Sequence, residues 1–142
     1  MTLYVFCGIP ASGKTTIAAQ FAKEQNAKLY SYDVVRRNSK LASFEDICKL
    51  AYHQINADLS NGYNVVYDAP NHKLSYRQDI LAAFSSTPCK KICVVLLTPF
   101  EECLKRNANR EARLPEFVLH NMYNKFEFPA LEEGWDDIWY FK

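Results

Sequence analysis

The sequence predicts an α/β fold in which helices cover both faces of a parallel sheet. Three observations carry this. Short apolar runs alternate with stretches of helical periodicity, a chain of 142 residues suits one domain, and the first apolar run feeds straight into a glycine-rich loop that opens a helix.

Runs of strand length fall near Leu3–Cys7, Lys28–Ser31, Asn64–Asp68, Lys91–Leu97 and Asp136–Phe141. Helical patterns fall near Lys14–Gln25, Phe44–Ser60, Ser75–Phe84, Phe100–Asn107 and Pro115–Phe126. Phe44, Ile47, Cys48, Ala51, Ile55 and Leu59 recur at three- and four-residue steps, which predicts an amphipathic helix. Asn61-Gly62 closes it, with glycine as the left-handed cap. The polar stretch from Asn107 to Arg113, followed by Pro115, reads either as a short lid over about 107–115 or as a solvated extension of the preceding helix. There is no repeat, low-complexity tract or linker.

Composition removes several classes. A hydrophobic share of 49% with 17 basic and 16 acidic residues describes a soluble globular chain, neither disordered nor supercharged. Any nucleic-acid surface must therefore be a local groove and not a basic face. The longest apolar run, Ile92 to Leu97, is far below the roughly 20 residues of a membrane helix, so no membrane partner is expected. The first apolar run lacks a basic flank and reads as a strand, not a signal peptide. Five cysteines without a CxxC pair are expected to be reduced thiols in a cytoplasmic protein.

The loop itself, Gly8-Ile-Pro-Ala-Ser-Gly13-Lys14-Thr15, fits the phosphate-binding pattern GxxxxGK[ST] without mismatch. Glycines allow the backbone to turn its N–H groups onto phosphates, Lys14 places a positive charge on the β and γ groups, and Thr15 offers a hydroxyl to Mg²⁺. Gly8, Ser12, Gly13, Lys14, Thr15 and Thr16 are thus the expected ATP-binding set.

Ligands of open α/β sheets bind beyond the carboxyl ends of the strands, so the polar residues there matter most. Asp33 follows the second strand and is either a catalytic carboxylate or a helix cap. Asp68 ends the apolar Tyr63–Tyr67 run, an arrangement in which a carboxylate holds a Mg²⁺ water. Asp33 and Arg36 share a face if their segment is helical, as a plain ion pair or as base and anion-binding group for an acceptor; Arg37 is read as solvent-facing. Arg106, Arg110 and Arg113, at steps of four and three, would align on one helical face, either as solvated side chains or as a clamp on a transferring phosphoryl group. His53 and His120 read as structural, and His72 lies close to the expected site.

At this point the residues resemble the kinase domain of polynucleotide 5′-hydroxyl kinases, within the small P-loop kinases. The resemblance rests on the phosphate loop, on Tyr32-Asp33-Val-Val-Arg36, and on Val65-Val-Tyr-Asp68 with Asn71 and Arg77. Leu104-Lys-Arg-Asn107 with Arg110, Phe126-Glu-Phe-Pro129 and Glu133-Gly134-Trp135 extend it over nearly the whole chain. Ala11 stands where the family often has Gly, and Ala69-Pro70 where it usually has Thr-Asn. The resemblance implies that Asp33 acts as general base on a 5′-hydroxyl, Arg36 contacts the acceptor's 3′-phosphate and Arg110 reaches the donor phosphates from the lid.

The expectation is therefore a three-layer P-loop NTPase fold over residues 1–142, one domain with a short lid and a parallel five-stranded sheet of order 2-3-1-4-5. Its expected reaction is transfer of the γ-phosphoryl of ATP to a 5′-hydroxyl nucleic acid end. Lys14, Asp33 and Arg110 are the catalytic residues, Arg106 and Arg110 join the ATP site, and Asp33, Arg36 and Asp68 contact the acceptor. Thr15 and, through water, Asp68 hold Mg²⁺, and no obligate protein partner is inferred. A kinase of a small metabolite, nucleoside or antibiotic is one alternative, and an ATP-binding regulatory module without turnover is the other.

Overall fold

The computed structural model describes residues 1–111 and 113–141. Five strands, β1 (Thr2–Cys7), β2 (Ala27–Ser31), β3 (Asn64–Asp68), β4 (Lys90–Leu96) and β5 (Asp137–Phe141), form one sheet in the order β2-β3-β1-β4-β5. All four pairings are parallel, so every strand carries its carboxyl end to the same edge. The expected fold class and strand order are both found.

The alternation of side chains along β1 divides the core into two layers. Leu3, Val5 and Cys7 face one side, where they pack with Ile47, Ile55 and Leu59 of α3 (Phe44–Ser60) and Ile80 of α4 (Leu74–Ala83). Tyr4 and Phe6 face the other, against Ala18, Phe21 and Ala22 of α1 (Lys14–Glu24). A strand buried on both faces is what a central position in a parallel sheet demands, and it explains the unbroken apolar run Leu3–Cys7. Each fully buried Leu or Ile contributes about 1.5–3 kcal/mol, so the pairing of these layers is the main source of stability.

Local signals set the element ends. Ser43 Oγ accepts from the Asp46 N–H at 3.1 Å and starts α3. Gly62 adopts φ +88° after it, and the Tyr63 N–H returns to the Asp58 carbonyl at 3.0 Å, the expected left-handed ending. The expected strands and helices lie within a residue or two of the observed ones, including α5 (Phe100–Ala108) and α6 (Glu116–Asn124). Two elements were not expected: α2, the seven residues Tyr32–Asn38, and a 3₁₀ turn at Leu131–Glu133. All five cysteines are free, and four are buried. No described helix is long and apolar enough to cross a membrane.

Candidate functional site

The loop from Gly8 to Lys14 joins β1 to α1 at the carboxyl edge of the sheet. Gly13 takes φ +88° immediately before the helix, a backbone conformation that favours glycine, and the Arg106 guanidinium closes over it, 2.6 Å from where a Cβ would stand. Ala11 also has a positive φ, +64°, a conformation that is costly for a residue with a side chain and that tends to persist at ligand sites. Ser12 Oγ is buried and has no hydrogen-bond partner among the described residues. The first turn of α1 holds no acidic residue of its own, which preserves the positive field of its N-terminus. An orphaned donor, a glycine-shaped loop and a helix N-terminus without acidic residues of its own together suit a polyphosphate.

Asp68 organises the two reactive side chains beside this loop. Its Oδ2 accepts from Thr15 Oγ1 at 3.2 Å, and its Oδ1 lies 3.6 Å from Lys14 Nζ. The lysine also donates to the Ala69 carbonyl at 2.8 Å and to the Gly8 carbonyl at 3.4 Å. A hydroxyl and a carboxylate side by side next to a phosphate cradle are the donor set a Mg²⁺ ion takes alongside phosphate oxygens and water. Thr16 lies one residue further along α1 and is exposed.

Ser31, the register partner of Asp68, occupies the cap position of α2, which puts Asp33 in that helix's first turn and not at its cap. The helix places Asp33 and Arg36 on one face with Oδ1 and Nη2 3.5 Å apart. Their side chains remain 67% and 54% exposed, so the pair is worth under about 1 kcal/mol and leaves both groups available to a ligand. Arg37 is exposed and donates from Nε to the Asp33 carbonyl at 3.3 Å.

The arginine row expected on one helical face does not form. α5 ends at Ala108 because the Asn107 side chain donates to the Leu114 carbonyl at 2.8 Å and accepts from the Leu114 N–H at 3.0 Å, folding the chain back. Arg106 alone lies on the helix, bonded to Glu102 at 2.8 Å, with its guanidinium over Gly13. Arg110 and Arg113 follow the helix and are exposed. Within the lid expected over 107–115, Ala112 lies outside the described residues. His120 packs edge-on against Phe100 and lies 3.8 Å from Glu116; His53 is exposed on α3.

Sequence reasoning did not anticipate the buried network behind the loop. Arg77 is fully buried and meets Glu133 through two bonds, Nε to Oε1 at 2.9 Å and Nη2 to Oε2 at 3.1 Å. Glu133 also accepts from Trp135 Nε1 and from the Ala130 N–H. Arg77 Nη1 and the Cys7 thiol both donate to the Asn71 carbonyl at 2.9 Å, and the Asn71 amide returns to the Phe6 carbonyl at 2.9 Å. These contacts lock the segment after β3 to the end of β1. The only sequence signal was the order of Asn71, Arg77 and Glu133-Gly134-Trp135. His72, next in line, is buried, its Nδ1 is unpartnered among the described residues, and its pKa is pushed down to about 4. Burial is the main cause, with Lys73, Lys14 and Arg77 adding to it and Glu127 opposing.

The chain belongs to the family described as chromatin associated protein KTI12, whose model matches residues 1–138. It is 28% identical to L-seryl-tRNA(Sec) kinase of Methanococcus maripaludis over 94% of this chain and 56% of that protein. The chain thus spans about half the length of the curated relatives it matches. The crystal structure of Chaetomium thermophilum Kti12 in complex with ADP-AlF3 superimposes with a TM-score of 0.80 at 19% identity, covering 98% of this chain and 88% of that one. A chain of the Pnkp1/Rnl/Hen1 complex gives 0.66 at 28% identity, over 80% of this chain and 40% of that one. The fold is that of the P-loop kinases, and the family is KTI12 within it.

Proposed function

We propose that this chain is an ATP-dependent phosphotransferase whose acceptor is a hydroxyl carried by a nucleic acid, a 5′-terminal hydroxyl being the one its motif resemblance favours. The observation that carries the reading is the position of Asp33: an exposed carboxylate at the sheet edge, two residues beyond the register partner of Asp68. A protein that only binds nucleotide does not need such a group. The name of the methanococcal relative, a kinase for L-seryl-tRNA(Sec), supports an acceptor borne on RNA.

In this reading the acceptor oxygen forms a bond to the γ-phosphorus of ATP, the bond from that phosphorus to the β-bridging oxygen breaks, ADP departs and the hydroxyl proton passes to Asp33. Lys14 and the loop N–H groups hold the phosphates, Arg106 and Arg110 add positive charge, and Arg36 receives a phosphate on the acceptor. Thr15 and Asp68 would hold Mg²⁺, which neutralises charge on the β and γ oxygens when bound.

An ATP-binding regulatory role without turnover is the second reading, favoured by the position of Arg110 outside α5. Labelled γ-phosphate offered with 5′-OH oligonucleotides, nucleosides and small alcohols separates the readings. Label on the oligonucleotides supports the proposal; ATP binding with no labelled acceptor supports the regulatory role.

A further inference from the structure

We propose that the cleft between α3 and α4 is a pocket for a heterocyclic base, namely the base of the nucleotide whose hydroxyl faces Asp33. This inference rests on the acceptor reading above and specifies where the acceptor's base sits.

The cleft encloses about 490 Å³, within the usual range for small-ligand pockets. Its walls are rings: Phe44 and Tyr52 from α3, Tyr67 from β3 and Tyr76 from α4. Phe44 is 37% exposed at the mouth, and its ring centroid lies 5.0 Å from that of Tyr76, so the aromatic lining is reachable from solvent there. Two polar groups define what enters. The Tyr67 hydroxyl, buried in the cleft lining, has only the weakly hydrogen-bonding Cys48 thiol beside it among the described residues. Asp79 lines the wall and is exposed, placed to accept from an exocyclic amine or a ring N–H.

Position ties the cleft to the reaction. Ala69, which lines it, supplies the carbonyl that holds Lys14 Nζ at 2.8 Å. Phe44 packs at 5.1 Å on Tyr32, the residue before Asp33. The cleft therefore adjoins both the backbone that holds the phosphate-binding lysine and the start of the helix that carries the candidate base. An aliphatic tail would leave the Tyr67 hydroxyl and Asp79 facing apolar atoms, which is costly. A simple cation is disfavoured because Glu45 is already paired with Lys49 at 3.0 Å, and that ammonium lines the same cleft. A base satisfies rings, hydroxyl and carboxylate together.

The test is calorimetric binding of two probes to the whole chain: adenosine 3′-monophosphate, and a tetrahydrofuran 3′-phosphate of the same backbone without the base. The wild type should prefer the base-bearing probe by about 5- to 150-fold, the span expected for a stacked base. Phe44→Ala should erase most of that preference. Tyr67→Phe, which deletes one hydroxyl and keeps the ring, should weaken the base-bearing probe by about 2- to 12-fold, the worth of one hydrogen bond. A fluorescent ATP analogue should bind all three proteins alike. Equal affinity of the wild type for both probes overturns the base pocket while leaving the acceptor reading standing. An undiminished preference in both variants also overturns this location. Binding of neither probe by a protein that binds the ATP analogue overturns the pocket and the acceptor reading together.

Discussion

Lys14 and Asp68 hold one another across the end of β3, Nζ to Oδ1 at 3.6 Å, with both side chains largely withdrawn from water. The carboxylate that fixes the lysine also accepts from Thr15, so charge and hydroxyl are aimed from a single anchor. Lys14→Ala should reduce phosphoryl transfer to background, because it removes a point charge facing the phosphates and no part of the apolar layers. Circular dichroism should retain the wild-type spectrum. Wild-type turnover in this variant would remove the loop from the reaction.

Asp33→Asn should lower transfer by about 10²–10⁴, the usual contribution of a general base, with ATP affinity unchanged. The melting temperature should hardly move, since the side chain is 67% exposed and its ion pair with Arg36 is weak. Parallel loss of ATP binding and stability would make Asp33 a structural residue.

Arg106 and Arg110 should separate by what they affect. Arg106 stands over Gly13, so Arg106→Ala should raise the Kd for ATP. Arg110 lies beyond α5, and Arg110→Ala should lower kcat more than it weakens ATP binding, as expected of a contact made mainly in the transition state. Equal effects on both quantities from both variants would contradict the division.

His72 should make stability depend on pH. Burial, aided by Lys73, Lys14 and Arg77 and opposed by Glu127, lowers its pKa from 6.5 to about 4. Between those values the unfolded chain binds more protons than the folded one, so stability rises with pH and is lost on acidification through that window. The loss is at most on the order of 3 kcal/mol, set by the separation of the two values. His72→Asn should flatten the slope of urea-unfolding free energy from pH 6.5 to 4; an unaltered slope would show that the imidazole is protonated in the fold.

Much of this was legible because it is local. A mismatch-free phosphate loop and apolar runs of strand length need no distant partner, and the sheet order followed from them and the family resemblance. α2 was not, because Tyr32–Asn38 is short, carries two adjacent β-branched valines and buries Val35 alone, so no helical period stands out. The arginine row failed for a related reason: the pattern continues past Ala108, but the Asn107–Leu114 bonds turn the backbone away. Burial of Arg77 was invisible because Glu133 lies 56 residues further along the chain. The cleft between α3 and α4 was hidden in the same way, its walls coming from three separate elements.

The central claim, transfer to a nucleic acid hydroxyl with Asp33 as base and Arg36 on an acceptor phosphate, is tested most directly by two acceptors and two proteins. Initial rates of labelled γ-phosphate transfer are measured for a nucleoside 3′-monophosphate and for the same nucleoside without its phosphate, with wild type and Arg36→Ala. The account predicts a wild-type preference for the phosphorylated acceptor of about 10- to 150-fold, the worth of a charge-assisted contact, and loss of most of it in the variant with ATP affinity intact. Equal rates on both acceptors, or transfer only to a small sugar or antibiotic hydroxyl, would contradict it.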